Sequence, residues 1–201
     1  MKTILKITLA LLFGYNLTGC MPLQDNYEYV PVNASPYIYM TAWEFINTRQ
    51  DVFSSLKEAI EYVETAYPGT QALYSQTERK YTYMFMTNDA FKSLLGTHSL
   101  NTIQEMDVDL LHDILLYHIV DGYYHSLSAE GNLSFDNIYV ITLLRSQDAV
   151  MSLKINNYDG RTSYSRLVVN DDMTNNTAVS SNIVATNGII NSFNKPLIYT
   201  L

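Results

Sequence analysis

The chain has 201 residues, 47% hydrophobic and 16% charged, enough for one ordinary domain with a buried core. This composition excludes a coiled coil, a collagen-like chain and a disordered acidic tail, and a single cysteine excludes a disulfide scaffold. Twelve Lys and Arg against twenty Asp and Glu leave a net charge of -8, so nucleic acid is not an expected partner.

Residues 1–20 read MKTILKITLALLFGYNLTGC. Lys2 and Lys6 form a basic start, Ile7 to Phe13 an apolar stretch, and small or polar residues lead into Cys20. That is the three-part layout of a secretory signal, with an apolar stretch too short to span a bilayer. Its ending resembles the bacterial lipobox, in which the cysteine is acylated and becomes the first mature residue. Residues 1–19 are therefore expected to be a lipoprotein signal peptide. Cleavage there removes two of the twelve basic residues and no acidic one, so the mature chain is more acidic still and depends on its acyl chains for the membrane. Residues 20–36 hold three of the five prolines and no hydrophobic period, which predicts an extended tether before a domain over 37–201.

Thr41 and Glu44 have capping-box spacing and open a short helix through Ile46. Asp51 reads as a second N-cap, with Phe53, Leu56, Ile60 and Val63 at helical spacing and Pro68-Gly69 as the stop. Tyr81 to Met86 is a β-rich run. Asn88 or Asp89 then caps a helix carrying Phe91, Leu94 and Leu95, closed by Gly96. Asp107 caps the clearest helix, whose Leu111, Ile114, Leu115 and His118 share one face, with Gly122 as its stop. Beyond it, 137–144, 149–155, 164–169, 177–180, 182–185 and 188–193 are strand-like, and Asn157 to Gly160 supplies a hairpin turn. Helices first and strands after is the α+β pattern.

Three stretches resemble one family, the fasciclin-like domain. YTYMFMTNDAF, Tyr81 to Phe91, resembles its first signature through Thr87 and Asn88. LLHDILLYHIVDGYY, Leu110 to Tyr124, resembles its central signature through Tyr117 and His118. SSNIVATNGIINSFNKPLIY, Ser180 to Tyr199, resembles its last signature through Asn187 and Gly188. The resemblance implies helices packed on a β-sheet wedge or sandwich. It also implies extracellular recognition of matrix proteins, cell-surface proteins or glycans. Two places depart from the pattern: Asn191 stands where a histidine is usual, and Phe85-Met86 where Ala-Pro or a similar pair precedes Thr-Asn. The helical lead-in and the long stretch after Gly122 are similar to the bacterial lipoprotein branch.

The chemistry-bearing residues support no catalyst. His118 lies on the apolar stripe of its helix, so a packed, hydrogen-bonded core histidine outweighs a ligand. His112 stands six residues before His118, off that face, and no two histidines share a zinc-ligand spacing. Asp159-Gly160 and Asp171-Asp172 are only fragments of a calcium loop. No Gly-x-Ser-x-Gly elbow, thiol–histidine pair or Gly-rich phosphate loop occurs. Asp107, Asp109 and Asp113 suit helix capping and a solvated face better than acid–base work. No metal, no cofactor and no enzyme activity are expected. Seventeen tyrosines are the remaining signal. Tyr37, Tyr39, Tyr74, Tyr123, Tyr124, Tyr158, Tyr164 and Tyr199 lie near turns or strand ends. They serve either as sheet packing with wet hydroxyls or as rings presented to a partner. Tyr123, Tyr124 and Tyr158, in connections, are the expected contact residues. The function expected is a lipid-anchored envelope module, at the outer membrane, binding an extracellular protein or glycan. The alternative is an accessory assembly subunit of an envelope glycan-uptake complex.

Overall fold

Helices occupy the first part of the chain and strands the second, as the α+β expectation requires. The computed structural model describes residues 35–127, 132–145, 149–157, 165–171 and 176–197. The expected signal peptide, Cys20, most of the tether, Tyr158 to Gly160 of the expected turn, Tyr164 and Tyr199 lie outside them. The helices are α1 (Ala42–Thr48), α2 (Gln50–Ala66), α3 (Ala72–Ser75), α4 (Asn88–Thr97) and α5 (Val108–Tyr117), with a 3-10 turn at Ile103–Glu105. The strands are β1 (Tyr81–Met86), β2 (Ile119–Val120), β3 (Ile138–Ile141), β4 (Val150–Asn157), β5 (Ser165–Val169), β6 (Asn176–Thr177), β7 (Ser180–Ala185) and β8 (Gly188–Phe193).

Sheet one has the order β2-β1-β8-β7 and sheet two the order β3-β4-β5-β6. Within sheet one, β1 and β8 pair in parallel, from Tyr81 with Gly188 to Met86 with Phe193; every other pairing in both sheets is antiparallel. A bridge between Val120 and Thr142, with Leu143 N donating to Ile119 O (2.8 Å), joins one edge of sheet one to the edge of sheet two. The sheets therefore share a corner.

Two cores follow. In the first, Phe53, Leu56, Ile60 and Val63 of α2 and Leu111 and Leu115 of α5 pack with Tyr81, Tyr83 and Phe85 of β1. In the second, Met84 and Phe193 meet Val140, Met151, Leu153 and Leu167 of sheet two. β1 and β8 are buried at all six positions because they lie between these layers, which is why neither shows polar–apolar alternation.

Local signals account for several boundaries. The Thr41 capping box is present, with Thr41 Oγ1 accepting from Glu44 N (3.2 Å) and Glu44 Oε2 from Thr41 N (2.7 Å). Asp107 caps α5 through Leu110 N (2.9 Å). Elsewhere tertiary partners override the local reading. Asp51 is not an N-cap; Arg49 holds that place, and Asp51 pairs with it in the first turn. The chain kinks at Phe53, and Asn88, from the start of α4, serves the re-started helix as a cap in trans. Its Oδ1 accepts from Ser55 N (3.0 Å) and Ser54 Oγ (3.2 Å). Neither Asn88 nor Asp89 caps α4; Thr87 does, through Ala90 N (3.4 Å). α4 also runs past Gly96, and the left-handed residue after it is Ser99, at φ 57°. α5 stops at His118, and Gly122 instead follows β2. The separate strands expected at 177–180 and 182–185 become β6 and a bulged β7.

Candidate functional site

The six residues that carry the family signatures all serve the scaffold. Thr87 and Asn88 cap α4 and α2, as described. Tyr117, buried at the end of α5, accepts a hydrogen bond on its hydroxyl from Asn170 Nδ2 (2.7 Å), tying α5 to the end of β5. His118 is buried, and its ring bridges two segments. Nδ1 lies 2.7 Å from Ile114 O, while Nε2 accepts from Leu197 N (3.2 Å). The second bond requires an unprotonated Nε2, so the proton sits on Nδ1 and is donated to Ile114 O. Burial pushes this imidazole down to about 4, so it is neutral at physiological pH.

Asn187 is fully buried in the β7–β8 turn. Its Oδ1 accepts from Ala42 N (2.8 Å), and its Nδ2 donates to Tyr74 O (2.8 Å) and Tyr83 OH (3.0 Å). One side chain thereby joins α1, α3 and β1. Gly188 beside it meets the backbone of β1 so closely that a Cβ would sit 2.1 Å from Tyr81 O. Asn191 is buried too; its Oδ1 accepts from Asn182 N (3.0 Å), and Asn182 in turn bonds Ser126. No group of three His, Cys, Asp or Glu side chains converges for a metal among the described residues.

The tyrosines divide. Tyr74 is buried in the first core and stacks near Tyr83. Tyr124, expected as a contact residue, turns inward: its ring packs against the second core, over Gly122, while its N–H donates to Thr82 Oγ1 (2.8 Å). Tyr123 points the other way. Its ring carries Lys80 Nζ at 5.0 Å and lies edge-on to His125 at 5.1 Å. Burial first, then the nearby Tyr37 phenol, push its hydroxyl up.

Tyr37 and Tyr39 complete this face. Their rings lie 6.3 Å apart and near parallel, with the residues 55% and 83% exposed. They belong to a segment laid along the edge of β7. Val184 N donates to Pro36 O (2.8 Å), Ile38 N to Val184 O (3.0 Å) and Thr186 N to Met40 O (2.9 Å). Tyr39 has φ 52°, a left-handed conformation costing an L-aromatic roughly 1–2 kcal/mol, so these flanking bonds hold a strained residue in place. At the entry to β1, Arg79 lies 5.6 Å from the Tyr81 ring, and Asp121 receives both Arg79 Nη2 (2.9 Å) and Arg145 Nη2 (3.1 Å).

Sequence reasoning named the rings but missed Lys80, which lies over one of them. Lys80 belongs to Arg79-Lys80, the only adjacent basic pair in the chain, a signal that was available.

Residues 54–199 match the family model described as Fasciclin domain. Among solved structures, the chain is similar to a FAS1 domain pair from the insect cell adhesion molecule fasciclin I. The TM-score is 0.55 and the identity 16%, over 80% of this chain and 51% of that one. The chain thus spans about half the length of that structure, and the likeness is one of fold. Comparison with curated protein sequences finds no match.

Proposed function

The chain belongs to the fasciclin domain family, and we propose that it is a non-catalytic adhesion or ligand-binding module, lipid-anchored through Cys20 in the manner of the bacterial lipoprotein branch. In this reading residues 20–36 tether the domain to the outer membrane and leave it free to meet an extracellular protein or glycan. The observation that carries the reading is the division of labour among side chains. The signature residues Thr87, Asn88, Tyr117, His118, Asn187 and Gly188 are engaged inside the scaffold. Tyr37, Tyr39 and Tyr123 instead present rings at one end of sheet one, and the exposed Tyr39, held in a strained left-handed conformation, suits recognition better than packing. The similar insect protein is itself a cell adhesion molecule, which agrees with this role.

The test is a Tyr37→Ala/Tyr39→Ala/Tyr123→Ala variant. It should fold with near wild-type melting temperature and lose surface adhesion or glycan binding, each lost ring costing on the order of 1 kcal/mol. Undiminished binding by a folded variant would place recognition elsewhere. Anchoring is tested separately. Cys20→Ser should move the protein from the membrane to the soluble fraction, and unchanged membrane fractionation would refute the anchor.

A further inference from the structure

We propose that the outward face of β3 is a self-association surface, on which two copies of this chain pack antiparallel about a two-fold axis at Tyr139. The inference does not rest on the ligand-binding reading above and uses none of its tyrosines. It starts from strand alternation. In β3 the side chains of Ile138 and Val140 enter the second core, so Tyr139 and Ile141 face outward. Val150, directly opposite Ile141 on β4, faces the same way. With Phe135, just before β3, these residues are all between 47% and 68% exposed. Single exposed apolar side chains need no explanation, but a group of them on one sheet face marks an interaction site.

Charge decides the occupant. At the C-terminal end of β3, Asp121 N–H donates to Ile141 O (2.9 Å), within the antiparallel bridge of Val120 with Thr142. Asp121 and Ile141 are thus cross-strand neighbours, and their side chains leave the face opposite to buried Val120 and Thr142. There Asp121 holds the guanidiniums of Arg79 and Arg145, whose side chains stay 58% and 63% exposed. One carboxylate between two guanidiniums leaves that end positive. At the N-terminal end stands Asp136, exposed and without a cationic partner among the described residues. Lys154, on the same face of β4, is already closed in an ion pair with Asp171. The stripe therefore runs from acid, through apolar side chains, to base.

Such a stripe is complementary to itself when turned end for end. A two-fold axis lying between the faces and crossing β3 at Tyr139 brings the two Tyr139 rings together. It sets Phe135 against Ile141 and Val150 of the other copy, and Asp136 against the other copy's arginine pair, each contact made twice. Tyr, Phe and Arg are the residues enriched at protein interfaces. A bilayer fits worse. Side chains on a flat sheet stand at one height and insert poorly, and a net charge of -8 repels an anionic surface. Four apolar side chains per copy make a small interface, so the association is reversible.

The experiment is sedimentation velocity of the full chain in detergent over a rising protein concentration, with circular dichroism to confirm that each variant folds. Wild type should show a monomer–dimer equilibrium. Tyr139→Glu, which sets two like charges at the axis, should weaken the dimer at least about tenfold. Asp136→Arg and Arg145→Asp should each weaken it about tenfold, and together they should restore affinity to within about threefold of wild type. The restoration follows because each reversed charge again meets its opposite across the axis. A chain that stays monomeric at the highest concentration reached overturns the proposal. So does a dimer that Tyr139→Glu leaves intact, or one that the paired reversal does not restore. A monomer that binds anionic vesicles through Tyr139 assigns the face to a membrane and overturns it as well.

Discussion

Gly188→Ala should destabilise the protein by at least about 3 kcal/mol, in the upper tail of single substitutions. The added Cβ would lie 2.1 Å from Tyr81 O and 2.8 Å from Tyr83 Cε2. The first of these is strand backbone, and it cannot retreat without breaking the register of β1 against β8. Asn187, one residue away, would shift with it and strain the bonds to Ala42, Tyr74 and Tyr83. In a protein of this size each kcal/mol lowers the melting temperature by about 2–4 °C, so the drop should reach several degrees or prevent folding. The same change at Gly96 supplies the control. Gly96 lies in the last turn of α4, and a Cβ added there would meet nothing within 4 Å. Gly96→Ala should therefore stabilise by about 0.5–1 kcal/mol. Denaturant titration of the two variants decides it: a harmless Gly188→Ala would refute the close β1–β8 approach as a stability determinant.

The opposite signs expected at these two glycines show what the sequence could and could not reveal. Features decided within a few residues were legible. Thr41 with Glu44, and Asp107 before an apolar stripe, marked helix starts because cap and helix are neighbours in the chain. Features decided by distant partners were not. Asp51 looked like a cap, but the orphan N–H groups beyond the Phe53 kink are met by Asn88, 33 residues from Ser55. Gly96 looked like a helix stop, yet Ser99 adopts the left-handed conformation. Two-residue β2 carries too little sequence to show alternation. The parallel union of β1 with β8, near opposite ends of the domain, leaves no local mark at all.

The candidate site divides in the same way. Tyrosines in connections could be recognised as candidates, but the direction of each ring is set by tertiary neighbours. Tyr123 and Tyr124 are adjacent and of one type, yet one lies under Lys80 and the other closes the second core. The net charge of -8 spoke only against nucleic acid as a partner, because a sum over the chain contains no positions. Only folding brings Arg145 to Asp121 beside Arg79, two arginines sharing one carboxylate.

Between pH 6.5 and about 4 the protein should lose about 3 kcal/mol of stability through His118 alone. The direction follows from proton counting. Burial holds the folded imidazole at about 4, whereas in the unfolded chain it titrates near 6.5. Across that interval the unfolded state binds the proton and the folded state does not, so acid favours unfolding. The stability is fully present above 6.5 and gone once pH falls below the folded value. Geometry explains why the folded site resists the proton. Nε2 accepts from Leu197 N–H, so protonation would set two donors against each other in a dry site. His118→Ala removes this titration, and it leaves Ile114 O without its imidazole donor and Leu197 N–H without its acceptor. At pH 7.5 it should cost about 2–4 kcal/mol. As pH falls toward 4 the wild-type curve should drop toward that of the variant, because only the wild type has the histidine to protonate. Exposed carboxylates act alike in both proteins and cancel from the difference. Parallel stability curves for wild type and variant from pH 7.5 to 4 would show that His118 is not a buried neutral bridge between α5 and Leu197.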